Sequence, residues 1–397
     1  MPGVVAFSDK KIAVRSGSRG IKVLRLSHSA GVSTYRERER HLIQHPLDVM
    51  LLLPRKWKHI GGDGEAPQEE FAVKTVKTFG TGSIPLFAYD PFAVRDALLS
   101  FKPDIVDIHE EPYSVSCFEV MSMTRRILPG ARTVFYSAQN IHKDYPFPFS
   151  WSEQYVYANS SGAYPCSSGV KEVLNAKGFA KQAPVIPLGI NTSVFKRRNV
   201  DRSRYGIPQD CVVLGYVGRL EQSKGVQYVI EALGQIKDSF DYRFVVIGAG
   251  SFQARLREQA QELGIADRVL WLGERPMNEM PTCLSLCDVG VVPSVTTKTW
   301  REQFGRTAVE FMACGVPVIA SDSGSLPEVV STAGIIVPEQ NAGEFAEAIA
   351  LLISEPELRE ELQQRGLALV ESKYTWKRVA QMMFDLYQNA LANRVRV

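Results

Sequence analysis

No Cys-x-x-Cys pair occurs among the six cysteines, which stand at positions 117, 166, 211, 283, 287 and 314. Cys283 and Cys287 are one helical turn apart, but no second Cys or His pair has ligand spacing, which argues against a zinc site. The expectation is reduced, mostly buried thiols and a cytoplasmic setting. Long apolar runs are also missing. None reaches the roughly 18–20 residues that a membrane-spanning helix needs. Residues 1–20 (MPGVVAFSDKKIAVRSGSRG) lack a signal-peptide apolar core and read as a flexible extension before the first strand. Histidine is absent after position 150: His28, His41, His45, His59, His109 and His142 are the full set. Any histidine chemistry therefore belongs to the first part of the chain.

Net charge is small, +3 over 397 residues, but unevenly placed. Residues 1–60 hold twelve Lys/Arg and four Asp/Glu, so this end is basic and the remainder is net negative. A basic front end suits an anionic acceptor or an acidic membrane surface, giving the expectation of a peripheral contact at the inner membrane face. No nucleic-acid motif accompanies the charge, so nucleic acid is not expected as a partner. With 45% hydrophobic and 22% charged residues, the chain has the composition of a globular protein, long enough for two domains.

Short apolar runs alternate with amphipathic stretches, the pattern of βαβ units and parallel sheets. Residues 21–27 (IKVLRLS), 47–53 (LDVMLLL), 104–109 (DIVDIH), 133–137 and 163–166 read as strands of a first domain, with a helix through 35–40 and a loop over 61–70. Residues 191–210 are polar, basic and turn-rich and read as a linker. A second series follows at 211–217 (CVVLGYV), 242–248, 269–272, 288–293 and 316–320. Residues 375–391 form an amphipathic helix. The fold class is α/β, with two Rossmann-like, doubly wound domains, bounded at 21–192 and 193–375.

Residues 300–330 (WREQFGRTAVEFMACGVPVIASDSGSLPEVV) carry the most chemistry. Glu302 and Glu310 are eight positions apart, and Phe304-Gly305 lies where a loop enters a helix. A helix entered through glycine exposes backbone N–H groups at its positive end, a seat for phosphate. Upstream, Gly218-Arg219-Leu220-Glu221-Gln222-Ser223-Lys224-Gly225 follows an apolar strand, and its two cations can neutralise a diphosphate. Gly248-Ala249-Gly250 also follows a strand, but position 253 is Gln where a dinucleotide fingerprint has its third glycine. An oxidoreductase using this turn is a rival reading, testable by nicotinamide binding.

These strings, E-Q-F-G-R-T-A-V-E-F-M-A-C-G-V-P-V-I-A above all, resemble the donor site of retaining glycosyltransferases of family 4 (glycosyl transferases group 1), which have the GT-B fold. Phe311 and Arg306 are mild departures from the pattern. The resemblance is close over the second domain and loose over the first. It implies transfer of a hexose-type sugar from a UDP- or GDP-linked donor to an acceptor hydroxyl of a glycan, glycolipid or small molecule, with retention and without a metal. It implies that Glu302 holds the transferred sugar and Glu310 the ribose. Arg219 and Lys224 would bind the diphosphate, and Phe304, Gly305 and Arg306 would approach sugar and phosphate with backbone groups. Gly218 and Gly248 would line the nucleotide pocket, and Arg275 belongs to the loop that meets the base. Glu328 has a family counterpart and equally suits a helix N-terminus.

In the first domain the family often has a histidine where His109 ends its strand, and that histidine meets the donor sugar; Glu110 is a weaker candidate for the acceptor side. The loop 27–33 has only Gly31 where the family usually has a glycine pair. In this fold the two domains face a central cleft and the terminal helix crosses back, which implies that a helix at about 376–397 completes the first domain; a simple capping helix of the second domain is the other reading of that segment. No Asp-x-Asp element occupies a site position. The alternatives are a sucrose- or trehalose-type synthase acting on a free sugar, and a non-catalytic nucleotide-sugar-binding protein of the same fold.

Overall fold

The computed structural model describes residues 20–57 and 68–392. Most of the expected extension at 1–20 and of the loop at 61–70, together with His59 and the last five residues of the terminal helix as expected, lies outside the described residues.

The first domain is built on a six-stranded sheet. Its strands are β1 (Ile21–Leu26), β2 (Leu47–Pro54), β3 (Ala72–Val76), β6 (Ile105–Ile108), β7 (Arg132–Ser137) and β8 (Gly162–Pro165). A two-stranded ribbon, β4 (Thr78–Phe79) and β5 (Ala88–Tyr89), intervenes in sequence. The sheet order is β3-β2-β1-β6-β7-β8, every neighbouring pair parallel. The second domain repeats the plan with β9 (Val212–Val217), β10 (Tyr242–Ile247), β11 (Val269–Gly273), β12 (Val289–Val292), β13 (Val318–Ser321) and β14 (Gly334–Val337), ordered β11-β10-β9-β12-β13-β14. In both sheets the winding reverses between the first strand and its later neighbour, β1 beside β6 and β9 beside β12. A crevice opens beyond the carboxyl ends of such a pair.

The inner strands are mostly apolar because helices cover both faces of each sheet. Besides the two-residue ribbon strands β4 and β5, two strands were not anticipated, β3 and β14. Both are edge strands: β3 is largely open to solvent, and β14 begins at a glycine, so neither carries a long buried run.

One face of the first sheet packs Leu24, Leu26, Val106 and Ile108 against the helices Pro91–Phe101, Val115–Ile127 and Phe149–Asn159. The other face packs Val23, Leu51 and Ile105 against Trp376, Val379, Met383, Leu386 and Tyr387 of the last helix, Trp376–Ala392. The chain leaves and re-enters this domain at one place, where Ile190 and Thr375 form an isolated parallel bridge. Residues 191–210 do not hang free. Phe195 and Ile207 are buried in the second-domain core, and Arg202 pairs with Asp288 at 2.7 Å. All six cysteines are free and buried.

Candidate active site

The second domain offers a pre-formed carboxylate–cation pair. The turn after β9 ends in a single 3-10 turn, Gln222–Lys224, which brings Lys224 toward the end of β12. Oε2 of Glu302 accepts from Nζ of Lys224 at 3.1 Å and from Oγ of Ser294 at 2.8 Å. The ammonium also lies 4.0 Å from the centre of the Trp300 ring. Carboxylate and ammonium are each less than one-fifth exposed, so the pair is sheltered yet reachable.

Two glycines shape the floor of this site. Gly218 ends β9 and Gly248 ends β10, and a Cβ on Gly248 would lie 1.9 Å from the Gly218 carbonyl oxygen. Gly248 also has φ +130°, which side chains rarely adopt. Close approach of the two turns is thus possible only without side chains, and Leu220 N–H donating to Ala249 O at 2.9 Å ties them together.

Gly305, at φ +82°, turns the loop into the helix Arg306–Ala313, whose first turn no side chain caps. Its leading N–H groups carry the positive end of the helix dipole. Phe304 faces the other way, buried edge-on to Tyr374. Arg306 pairs with Glu310 at 3.3 Å and lies 4.6 Å over the Tyr35 ring of the first domain. Burial raises the Glu310 carboxyl above its ordinary value, and Arg306 works in the opposite direction.

The first-domain wall stands at the reversal between β1 and β6. A cavity of about 350 Å³ lies there between the domains, lined by His28, Arg38, His109, Glu111 and Tyr136 on one side and by Gln303 and Arg306 on the other. His109 is buried against the Tyr136 and Tyr164 rings. Burial, then Arg38, Arg25 and His28, hold its pKa well below the histidine norm, which favours the neutral ring. His28 behaves oppositely. Burial opposes its charge, but Glu110, 2.5 Å from Nδ1, raises its pKa.

Glu110 is buried, with its oxygens engaged by the His28 ring and backbone N–H and by Tyr89 Oη at 2.7 Å. It anchors the His28 loop. Its neighbour Glu111, which sequence reasoning passed over, lines this cavity and a smaller one beside Asn140 and Trp300. Glu111 accepts from Ser137 Oγ and Ala138 N–H, each at 2.8 Å, and burial pushes its carboxyl up to about 7.

The glutamate loop bridges the domains. Asn140 Nδ2 donates to the Glu302 carbonyl at 2.8 Å, Ser325 Oγ donates to Ser167 Oγ at 2.8 Å, and Ser168 N–H donates to Glu328 at 2.8 Å. Neither Asn140 nor Ser167 carries a local sequence signal, since each acts only across the interface.

Among the expected site residues, the structure joins Glu302 with Lys224, Glu310 with Arg306, and Gly218 with Gly248, and sets His109 and Arg306 on one cavity. The others stand apart. Arg219 is largely exposed and pairs with Glu221 at 2.9 Å. Arg275 folds onto its own loop, donating to Leu272 O at 3.1 Å and facing Glu279. Gly31 ends a one-turn 3-10 helix whose carbonyls hold Arg36, and its loop reaches the cavity through His28 and Ser29. Among the described residues no group of three or more His, Cys, Asp or Glu is placed to hold a metal ion, and no helix is long and apolar enough to cross a membrane.

The whole architecture is that of a GT-B protein. Sucrose-phosphate synthase from Thermosynechococcus elongatus superposes with a TM-score of 0.74 at 20% identity, covering 94% of this chain and 99% of that one. Anabaena HepE in complex with UDP superposes at 0.71 with 18% identity, covering 93% and 99%. Residues 197–368 match the family described as glycosyl transferases group 1. A D-inositol 3-phosphate glycosyltransferase of Stackebrandtia nassauensis is 29% identical over 64% of this chain and 61% of its own length. One from Corynebacterium diphtheriae is 33% identical over 52% of this chain and 50% of its own length. The chain thus spans about half to three-fifths of the curated relatives it matches.

Proposed function

We propose that this protein is a retaining glycosyltransferase that moves a hexose from a UDP- or GDP-linked donor to an acceptor hydroxyl and needs no metal. The observation that carries this reading is the Glu302–Lys224 pair at the reversal of the second sheet, together with the uncapped helix Arg306–Ala313 that the same loop leads into. Fixed donors aimed at a leaving diphosphate stabilise the charge that develops there without reorganising.

In this reading Lys224 and the helix end bind the diphosphate, joined by Arg219 once it leaves Glu221. Glu310 accepts from the ribose and Glu302 from the sugar hydroxyls. The acceptor enters from the cavity beside His109 and Glu111. Attack on the face from which the diphosphate leaves, with its oxygen taking the acceptor proton, keeps the configuration. The contacts of Asn140, Ser167 and Ser168 with the glutamate loop close the domains over the donor and exclude water. A contact between the basic front end and an acidic membrane surface belongs to the same reading, and co-sedimentation with anionic vesicles checks it.

The test is thermal denaturation with UDP-, GDP- and ADP-sugars. A nucleotide that binds the native state at a hundred times its Kd stabilises it by about 2.7 kcal/mol. One of the three is expected to raise the melting temperature, and Lys224→Ala is expected to remove the response. A folded sample that answers to none of them overturns the reading.

A further inference from the structure

The two histidines of the cavity are held differently, and the surroundings of His109 contain a conflict. Its Nδ1 lies 3.3 Å from Nη1 of Arg38 and 3.1 Å from Oη of Tyr164. Arginine can only donate, so Arg38 requires a bare Nδ1. Tyr164 sends its one hydrogen to Oδ1 of Asp107, 2.5 Å away, and so offers Nδ1 only a lone pair. The tyrosine therefore favours a hydrogen on Nδ1, the opposite tautomer.

Arg38 holds the stronger position. It is a cation, and its direction is fixed from behind. Its Nε donates to Oε1 of Glu39 at 3.4 Å, and the same oxygen accepts from Nε of Arg25 at 2.8 Å. Arg25 in turn meets Asp107 and Tyr387 of the last helix, and Arg25, Glu39, Asp107 and Tyr387 are all fully buried. Arg38 is itself buried beside this network, which leaves its guanidinium little room to turn aside for a second hydrogen in the same space.

We infer that Arg38 is a positioning residue that sets the tautomer of His109, keeping Nδ1 bare in the wall and presenting Nε2–H to the cavity. The consequence rests on the glycosyl-transfer reading above: an Nε2–H donates to a hydroxyl or phosphate oxygen of the donor, whereas a bare Nε2 only accepts. The neutrality of the ring, noted above, is what makes the choice of tautomer matter.

Proton–nitrogen correlation spectra of the imidazole rings in isotope-labelled, full-length protein test this directly. The His109 signals are identified by their loss in His109→Gln. The wild type is expected to show the Nε2–H pattern. In Arg38→Met the two ring nitrogens are expected to exchange shifts, reporting Nδ1–H bonded to Tyr164. Tyr164→Phe is expected to keep the wild-type pattern. A wild-type ring protonated on Nδ1, or an even mixture of tautomers, overturns the inference, as does a folded Arg38→Met that keeps Nε2–H. The wild type and Tyr164→Phe decide the matter even where Arg38→Met does not fold. No sugar donor enters the measurement, so its failure and a failure of the transferase reading are distinguishable.

Discussion

Replacing Gly248 by alanine isolates what the turns after β9 and β10 demand. The added methyl would lie 1.9 Å from the Gly218 carbonyl oxygen and 2.9 Å from its carbonyl carbon, both rigid backbone. The turns must part by roughly 1 Å to restore ordinary contact in a close-packed site. They are joined by Leu220 N–H to Ala249 O at 2.9 Å and Gly218 N–H to Ile247 O at 3.0 Å, and a shift of that size breaks one or both. At about 1 kcal/mol each, with about 1–3 kcal/mol for a side chain at φ +130°, the loss is about 2–5 kcal/mol. That lowers the melting temperature of a domain of this size by roughly 4–20 °C. Gly273→Ala is the control, because Gly273 has φ +68° but nothing within 4 Å of its added methyl. It keeps only the backbone strain, about 1 kcal/mol. Thermal unfolding of both variants, with nucleotide titrated into each, separates the contributions. Gly248→Ala is expected to melt well below Gly273→Ala and to lose the nucleotide response. Equal melting temperatures would refute the reasoning, since the clash would then cost nothing.

Glu111, raised to about 7 by burial, holds a proton in the folded state that it has released in the unfolded chain above pH 4.5. Stability is therefore lost as pH climbs from about 4.5 to about 7, and Glu111→Gln should be more stable than wild type at pH 8 and equal to it near pH 4. Urea unfolding at the two pH values checks the sign, and a variant less stable at pH 8 refutes it. A Ser167→Cys/Ser325→Cys pair, made in a Cys166→Ala background, should oxidise to a disulfide across the domains, because the two hydroxyls lie 2.8 Å apart. The oxidised form should stop responding to donor, and full recovery should follow reduction. Tyr387→Phe removes the hydroxyl that Arg25 and Asp107 share from the last helix, and about 1–3 kcal/mol of stability should go with it. A change within about 0.5 kcal/mol of wild type, typical of an uninvolved surface site, would mean that the network closes without it.

What could be read in advance was whatever depends on neighbours in sequence. The inner strands are mostly apolar runs, so their positions and the parallel α/β plan were visible. The edge strands β3 and β14 were not: exposure breaks the pattern of β3, and β14 is a short strand that opens on a glycine. The Glu302-to-Glu310 string was legible because a loop, a glycine and a helix end act within nine consecutive residues. A hint of the buried network was present too: Arg25 and Asp107 are charges among the buried residues of two inner strands, and the register of β1 on β6 makes them direct partners.

The amino-acid sequence by itself determined the two doubly wound domains and the glycine turns that follow β9 and β10, because hydrophobic period, glycine turns and helix ends are local properties of the chain. Only the tertiary structure decided which groups meet. It left Arg219 beside Glu221 and Arg275 on its own loop, engaged Glu110 with His28, turned Glu111 to the cavity, and set Arg38 and Tyr164 on one nitrogen of His109. Hydrogen bonds and ion pairs act over about 3 Å, and no sequence pattern carries that distance between residues brought together from different strands and helices.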